Sequence, residues 1–485
     1  MMEHTLVIDQ GTHASRCIVF DATGQLMAQS EHPVSIYRQG QQFIEQNPEK
    51  ILASIYYCID ALKQQDRLKL VTQAALVTQR STIIGWHKHS GKALSMAISW
   101  QDTRASDYLK PLQTQAQEIM NISGLPLSPH YGASKIKWLL ENNEACKEAY
   151  KKNHLIIAPL SCYLIEQLTG LTDAVVDHVN ASRTQLLDIN SLNWSDNLLN
   201  KFKLDKSILP RLKPCLSEYG QFRHNNFPLK LVTGDQNAAV FANGIPEQDS
   251  ILINIGTGAF VLKTTSHLEK KSPMLSGLAS SSETENTYVL EGTVNGAGAA
   301  LEQLYTEINH KHLFEQLPKW FNMITHPPLY INTISGLGSP WWNNTIKDFY
   351  LNSDNEVLDQ SEIDMPEKSV AIIESIVFLL QHNIEQIADS RNSKIIISGG
   401  LCKLNGLCQK LADLSTFEVQ RFENTEATAK GAAWLLSSNV NWKESSPTAC
   451  FKPLLNPALQ SRFKRFTEQL SELTTEQSKS GVRTV

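Results

Sequence analysis

Ile8-Asp9-Gln10-Gly11-Thr12, close to the start of the 485-residue chain, returns in its middle as Ile253-Asn254-Ile255-Gly256-Thr257. Each copy closes an apolar strand and opens another, residues 5–9 and 16–21 around the first and 251–255 and 260–264 around the second. A Gly-Thr turn offers backbone N–H groups and a hydroxyl to phosphate oxygens. Two strand–turn–strand hairpins of this kind predict an α/β fold duplicated within one chain, with a phosphate grip in each half. The copies differ in one respect: Asp9 carries a carboxylate where Asn254 carries an amide.

Outward from the first turn, strands are expected at residues 16–21 and 26–31, joined through Thr23-Gly24, to make an antiparallel meander. Residues 48–62 place Ile51, Ile55, Cys58, Ile59 and Leu62 at helical spacing. Strands follow at 74–78 and 83–87, and after further alternation a strand at 229–233 runs into Gly234-Asp235-Gln236. The polar stretch 244–249 reads as a boundary. Beyond the second turn, a long helix over 367–388 leads to a strand at 394–398 and Gly399-Gly400, which reads as the counterpart of Gly234-Asp235. Residues 457–473 suit a surface helix, and the last dozen residues are polar. The expected division is 1–244, 245–440 and an extension at 441–485.

A chain of this length exceeds the size at which single cores stop growing, so two large domains are expected. With 41% hydrophobic and 19% charged residues and a net charge of −5, the composition gives no reason to expect nucleic acid or an acidic membrane as partner. Eight scattered cysteines without a CxxC pair read as reduced, mostly buried thiols. No apolar run is taken as a membrane span, and the N-terminal residues enter a strand without a signal segment, so a cytoplasmic location is expected. His87-x-His89 and His310-x-His312 lie in polar, turn-like surroundings and read as solvated histidines rather than metal ligands.

Several further motifs recur in one order: residues 9–16 (DQGTHASR), 78–100, Lys135-Ile136-Lys137-Trp138, 234–239, 256–260, 291–304, 335–342 (SGLGSPWW), Ser398-Gly399-Gly400 and Gly431-Ala432-Ala433. Taken together they make the chain resemble the FGGY carbohydrate kinase family, and within it the branch that phosphorylates glycerol, over most of residues 5–436. The resemblance implies two duplicated ribonuclease-H-like domains, of the actin and heat-shock ATPase type, with a nucleotide cleft between them. It implies ATP and Mg²⁺ as cofactors and a small polyol or sugar as substrate, and it leaves room for assembly into a homo-oligomer.

On that resemblance Thr12 and Arg16 fall to the phosphates, Asp9 to Mg²⁺ through water, and Gly256 and Thr257 to the second phosphate grip. Gly298 and Gly400 match positions where backbone lies close to the nucleotide, with Glu302 and Asn405 beside them. Asp235 is the expected general base; taken alone, an Asp opening a helix would read as an N-cap. Arg80, Ser81, Trp100, His130, Gln236 and Phe260, with Asp235, form the expected acceptor pocket. Where the family carries Arg-Glu this chain has Arg80-Ser81, and His130 replaces a tyrosine. A lost carboxylate acceptor costs about 1.5–3 kcal/mol of recognition, and the smaller Ser81 leaves room for a longer polyol or a ketose. Two other classes remain open at this point: a catalytically weak sensor that binds nucleotide or sugar, and an actin-like ATPase with no acceptor.

Overall fold

A computed structural model describes residues 4–479 except 41, 224–225, 271–272, 309–312, 344, 423–425, 438–441 and 443–445. The first half is built on strands β1 (His4–Gln10), β2 (Ala14–Phe20), β3 (Leu26–Pro33), β4 (Val71–Thr78) and β5 (Leu229–Gly234) in the order β5-β4-β1-β2-β3. β4 runs parallel to both β1 and β5, while β1, β2 and β3 form the antiparallel meander. The second half uses β6 (Ser250–Ile255), β7 (Ala259–Thr265), β8 (Leu275–Ser281), β9 (Asn286–Val294), β10 (Lys394–Ser398), β11 (Glu418–Arg421) and β12 (Ala449–Phe451) in the order β8-β9-β7-β6-β10-β11-β12. Its inner five strands repeat the first sheet in order and direction, with β8 and β12 added at the edges. The duplication and the ribonuclease-H-like class are therefore present.

The pairing corrects one expectation. β10 follows β6 as β4 follows β1, so Gly399-Gly400 is the counterpart of Gln79-Arg80 and not of Gly234-Asp235. The true counterpart of β5 is β11. Both turns follow a parallel strand, and only the ladder order distinguishes them.

The principal helices are α1 (Pro48–Gln64), α2 (Gly132–Asn142), α3 (Asp235–Ala239), α4 (Gly298–Ile308), α5 (Met365–Ile387), α6 (Asn405–Ser415), α7 (Ala427–Leu436) and α8 (Pro457–Lys479). α1 starts where it should: the Asn47 side chain accepts the N–H groups of Glu49 and Lys50, and Pro48 fills the first turn. Its stripe of Ile51, Ile55, Cys58, Ile59 and Leu62 covers one face of the first sheet. The other face, with Val7, Ile18, Ala75 and Val77, is covered from the opposite half of the chain by Ala429, Ala432 and Ala433 of α7. In return Val240 and Phe241, just past α3, pack against Leu262 and Val289 of the second sheet. The halves thus exchange their last helices. The crossing is so close that a Cβ on Gly431 would collide with the carbonyl oxygen of Ala238.

α5 is long and apolar enough to cross a membrane, which amends the reading that no run is; it is almost wholly buried, as a core helix is. α8 is more than a surface helix, since Leu459, Phe466 and Leu470 lie in the core of the second half, with Phe466 against Phe378. All eight cysteines are free, and only Cys450 is exposed. Between β4 and β5 the chain inserts some 150 residues' worth of structure, from Gln79 to Pro228, including most of a sheet ordered Tyr37–Gln39, Phe43–Gln46, Ala97–Ile98, Ile83–His87 and Leu155–Pro159. That insertion brings Arg80, Trp100 and His130 to the carboxyl ends of β4 and β5, where open α/β sheets place their sites.

Candidate active site

The first turn is tight, with the Gly11 N–H donating to the Ala14 carbonyl at 3.0 Å. Amide side chains brace it from behind: Gln46 donates to the Thr12 carbonyl at 2.8 Å, and Gln79 donates to Gln46 at 2.8 Å and to Gln10 at 3.2 Å. The Thr12 hydroxyl accepts the indole N–H of Trp100 at 3.0 Å. Asp9, last but one in β1, is buried. Burial pushes its carboxyl up to about 7, the Asp235 carboxylate adds to the rise and Arg16 opposes it. Arg16 stands half-exposed between Asp9 at 3.9 Å and Glu31 at 2.8 Å.

Asp235 opens α3, but the N-cap position belongs to Gly234. One Asp235 oxygen accepts the N–H of the next residue, Gln236, at 2.7 Å, and Arg80 lies 3.8 Å away. Burial raises the Asp235 carboxyl, with Arg80 pulling the other way. Arg80 donates to the side-chain amide oxygens of Asn237, at 2.9 Å, and of Gln236. Burial and the like charge of Arg183 bring the Arg80 guanidinium down to about 10, against the pull of Glu291 and Asp235. Glu291, from β9 of the second half, receives Arg183 at 2.6 Å and faces Arg80 at 3.8 Å. A buried alternation of two cations and two carboxylates thus joins the two halves.

The expected acceptor wall assembles beside it. Trp100 and His130 meet edge to face, ring centres 5.4 Å apart. Burial holds the His130 imidazole well below its usual range, and the cations Lys135, Arg183 and Arg80 add to this, so it is neutral. Ser81 is buried, sits at φ +61°, and its hydroxyl has no hydrogen-bond partner. A left-handed, β-substituted residue with an unpaired hydroxyl is the kind of strain that gathers at sites. Lys135 donates to the carbonyls of Ser81, Trp100 and His130.

The second turn is different. Its Gly256 N–H donates to Gly258, and the Thr257 carbonyl accepts from Ala297 and Ala299 as α4 begins. A Cβ on Gly298 would come within 2.6 Å of the Gly256 carbonyl oxygen, so the turn itself already requires this glycine. Gly399, at φ +98°, is likewise pinned against Ile255, whereas Gly400 faces open space. Asn254 donates to the Ser398 hydroxyl at 2.9 Å. Glu302 is exposed on α4, and Asn405 accepts from Arg421 at 2.9 Å.

A cavity of about 820 Å³ between the halves collects Asp9, Arg16, Asp235, Gln236 and Phe260, and runs on past Leu252 and Trp434 toward the linker at Ile245. Of the expected phosphate, nucleotide and acceptor residues, Thr12, Arg80, Ser81, Trp100, His130, Gly256, Thr257, Gly298, Glu302, Gly400 and Asn405 do not line it. Arg183, Glu291 and Tyr131 joined the site without having been singled out. For Glu291 a signal existed, a lone carboxylate in the apolar strand residues 288–294; Arg183 had none. His87 and His89 are joined by His154, with ring centres 4.9 to 5.9 Å apart, and among the described residues no group of three side chains is set to hold a metal. The pair His310-x-His312 lies outside the described residues.

Paired acidic and basic side chains at parallel strand ends, between two duplicated halves each with a Gly-Thr turn, define a two-domain phosphotransferase fold. The chain belongs to the FGGY family of carbohydrate kinases: residues 4–240 match the family's N-terminal domain and residues 251–439 its C-terminal domain. Among curated proteins it is 30% identical over 466 residues to the glycerol kinase of Mycoplasma pneumoniae, covering 91% of each chain. It is 29% identical over 474 residues to that of Alteromonas mediterranea, covering 93% of this chain and 94% of the other. Among solved structures, Plasmodium falciparum glycerol kinase with ADP superposes with a TM-score of 0.86 at 20% identity, over 98% of each chain. Gluconate kinase from Lactobacillus acidophilus superposes with a TM-score of 0.82 at 18% identity, again over 98% of each chain.

Proposed function

We propose that the chain transfers the terminal phosphoryl group of ATP to a terminal hydroxyl of a small polyol or sugar, with glycerol the first acceptor to test and a tetritol or pentulose the second. The observation that carries this reading is the convergence of Asp9, Asp235 and Arg80 at the ends of β1, β5 and β4, beside the braced Gly11-Thr12 turn. Asp235 serves as general base, accepting the hydroxyl proton as the phosphoryl group arrives, a role worth roughly 10²–10⁴ in rate. Arg80 orients the acceptor and balances charge; Trp100, His130 and Phe260 offer ring faces to its carbon chain. Thr12, Arg16 and Thr257 grip the phosphates, and Gly400, Glu302 and Asn405 flank the nucleotide.

The residues present fit a divalent ion: the Asp235 carboxylate adds to the raised proton affinity of buried Asp9, which a bound cation would relieve. Mg²⁺, held by Asp9 through water, would supply charge neutralisation on the phosphates. The same reading places the enzyme in the cytoplasm, where ATP is at hand.

ADP release measured with glycerol, erythritol, xylulose and ribulose tests the proposal. Turnover with one of them is expected. Measurable ATP binding with no turnover on any acceptor would make the chain a sensor, and hydrolysis indifferent to acceptor would make it an actin-like ATPase. Ser81→Glu should then shift preference toward glycerol, because it restores a carboxylate to a wall where a hydroxyl now has no partner.

A further inference from the structure

The buried ammonium of Lys135 has no part in the chemistry proposed above, yet it sits at the join of three separate pieces of the acceptor wall. It projects from the first turn of α2 and is fully buried. Its three N–H donors go to three backbone carbonyls: Ser81 at 3.2 Å, Trp100 at 3.3 Å and His130 at 2.8 Å. Among the described residues no carboxylate lies within ion-pair distance of it. Burial brings the Lys135 amine down to about 7, with Asp102 pulling the other way; its charged form is costly unless every donor is satisfied, and in that form donors and acceptors match one for one. Removing it would take a hydrogen-bond donor from three carbonyls of three chain segments at once, that of Ser81 being buried.

Each of those carbonyls belongs to a residue of the acceptor wall. Ser81 is held at φ +61°, and the two rings, Trp100 and His130, face each other across the same tie. Neighbouring contacts join at most two of the pieces: the Trp100 N–H donates to the Thr82 hydroxyl beside Ser81, while the Tyr131 N–H stays within its own segment at the Ser128 carbonyl. Lys135 is the side chain that reaches all three.

We infer that Lys135 is a positioning residue that fixes the acceptor wall by clamping the backbones of Ser81, Trp100 and His130 to one ammonium. The inference rests on the acceptor reading of that wall. Lys135→Met keeps the length and removes the donors; Lys135→Gln keeps two donors on a shorter arm and guards against a Met variant that does not fold. For Lys135→Met the acceptor KM should rise about 10- to 100-fold, as expected for ring and hydroxyl contacts displaced by an ångström. The ATP KM and the kcat at saturating acceptor should stay within about threefold. Lys135→Gln should fall between.

Hydrogen exchange supplies a readout that needs no acceptor. The amides of Trp100 and Tyr131 should exchange faster in both variants, while those of the second turn, Gly256 to Gly258, should not change. Unaltered exchange at Trp100 and Tyr131, or an equal loss of ATP and acceptor affinity, overturns the inference. Faster exchange in a protein whose wild type phosphorylates none of the acceptors would leave the clamp standing and sink the acceptor reading instead.

Discussion

The two Gly-Thr turns hold the same place in two copies of one sheet, and their surroundings have diverged. The first is braced by the amides of Gln46 and Gln79, has a buried carboxylate two residues upstream of its glycine, and feels a second carboxylate, Asp235, at the end of β5 in the same half. The second is neutral, with Asn254 tied to Ser398, and its geometry is fixed by backbone contacts with α4. Duplication thus supplied two equal scaffolds, and the buried carboxylates Asp9 and Asp235 were gathered on one. A turn held by side-chain networks can bear charge whose protonation responds to a ligand; a turn held by close backbone packing is a rigid cradle.

Substitutions that erase this difference should separate the two roles. The largest effect is expected from Asp235→Asn, which removes the base while keeping the shape: turnover should fall by roughly 10²–10⁴ with nucleotide affinity nearly intact, measured by steady-state kinetics and calorimetry. Asp9→Asn makes the first half chemically like the second. It should raise the Mg²⁺ concentration for half-maximal rate about 10- to 100-fold, the range seen when a group acting on a metal through its outer shell is lost. The reverse exchange, Asn254→Asp, sets a carboxylate beside the phosphate path and takes a donor from Ser398. Nucleotide affinity should drop about tenfold, close to 1.4 kcal/mol, and an unchanged Kd would mean that the second turn does not face phosphate.

The smallest expected effect is in pH dependence. Burial raises the Asp235 carboxyl above the ordinary range, and only its ionised form accepts a proton. Activity should therefore climb with rising pH through a midpoint above that of an exposed aspartate, in a kcat/KM profile taken at saturating Mg²⁺. A midpoint in the usual carboxylate range would remove Asp235 from the limiting step.

Local pattern made the fold legible. Both hairpins, the stripe of α1 and the long α5 are written in spacing that a short window captures, and each element formed where that spacing put it. Legibility ended where the information was long-range. Gly399-Gly400 was matched with Gly234-Asp235 because both are glycine turns after an apolar parallel strand; only the ladder order, with β10 beside β6, identifies Gln79-Arg80 as the true counterpart. The large insertion between β4 and β5 hid this, since β10 and β11 follow one another closely. The site behaved in the same way. Asp9, Arg80 and Asp235 lie at or just past strand ends inside motifs of the family resemblance and were legible through it, but Arg183 pairs with Glu291 across 108 residues, and no window spans that distance.

One bond described above, from the Trp100 indole to the Thr12 hydroxyl, has a directional consequence. An indole N–H can only donate, so the Thr12 oxygen is committed as an acceptor there and its own proton is left to point elsewhere. On the proposed reading, the residue that shapes the acceptor wall thereby dictates which way a hydroxyl on the phosphate turn is polarised. Acceptor choice, on that reading, cannot drift freely: a replacement of Trp100 that suits a new sugar must also leave Thr12 correctly oriented, so the two ends of the proposed reaction inherit changes together.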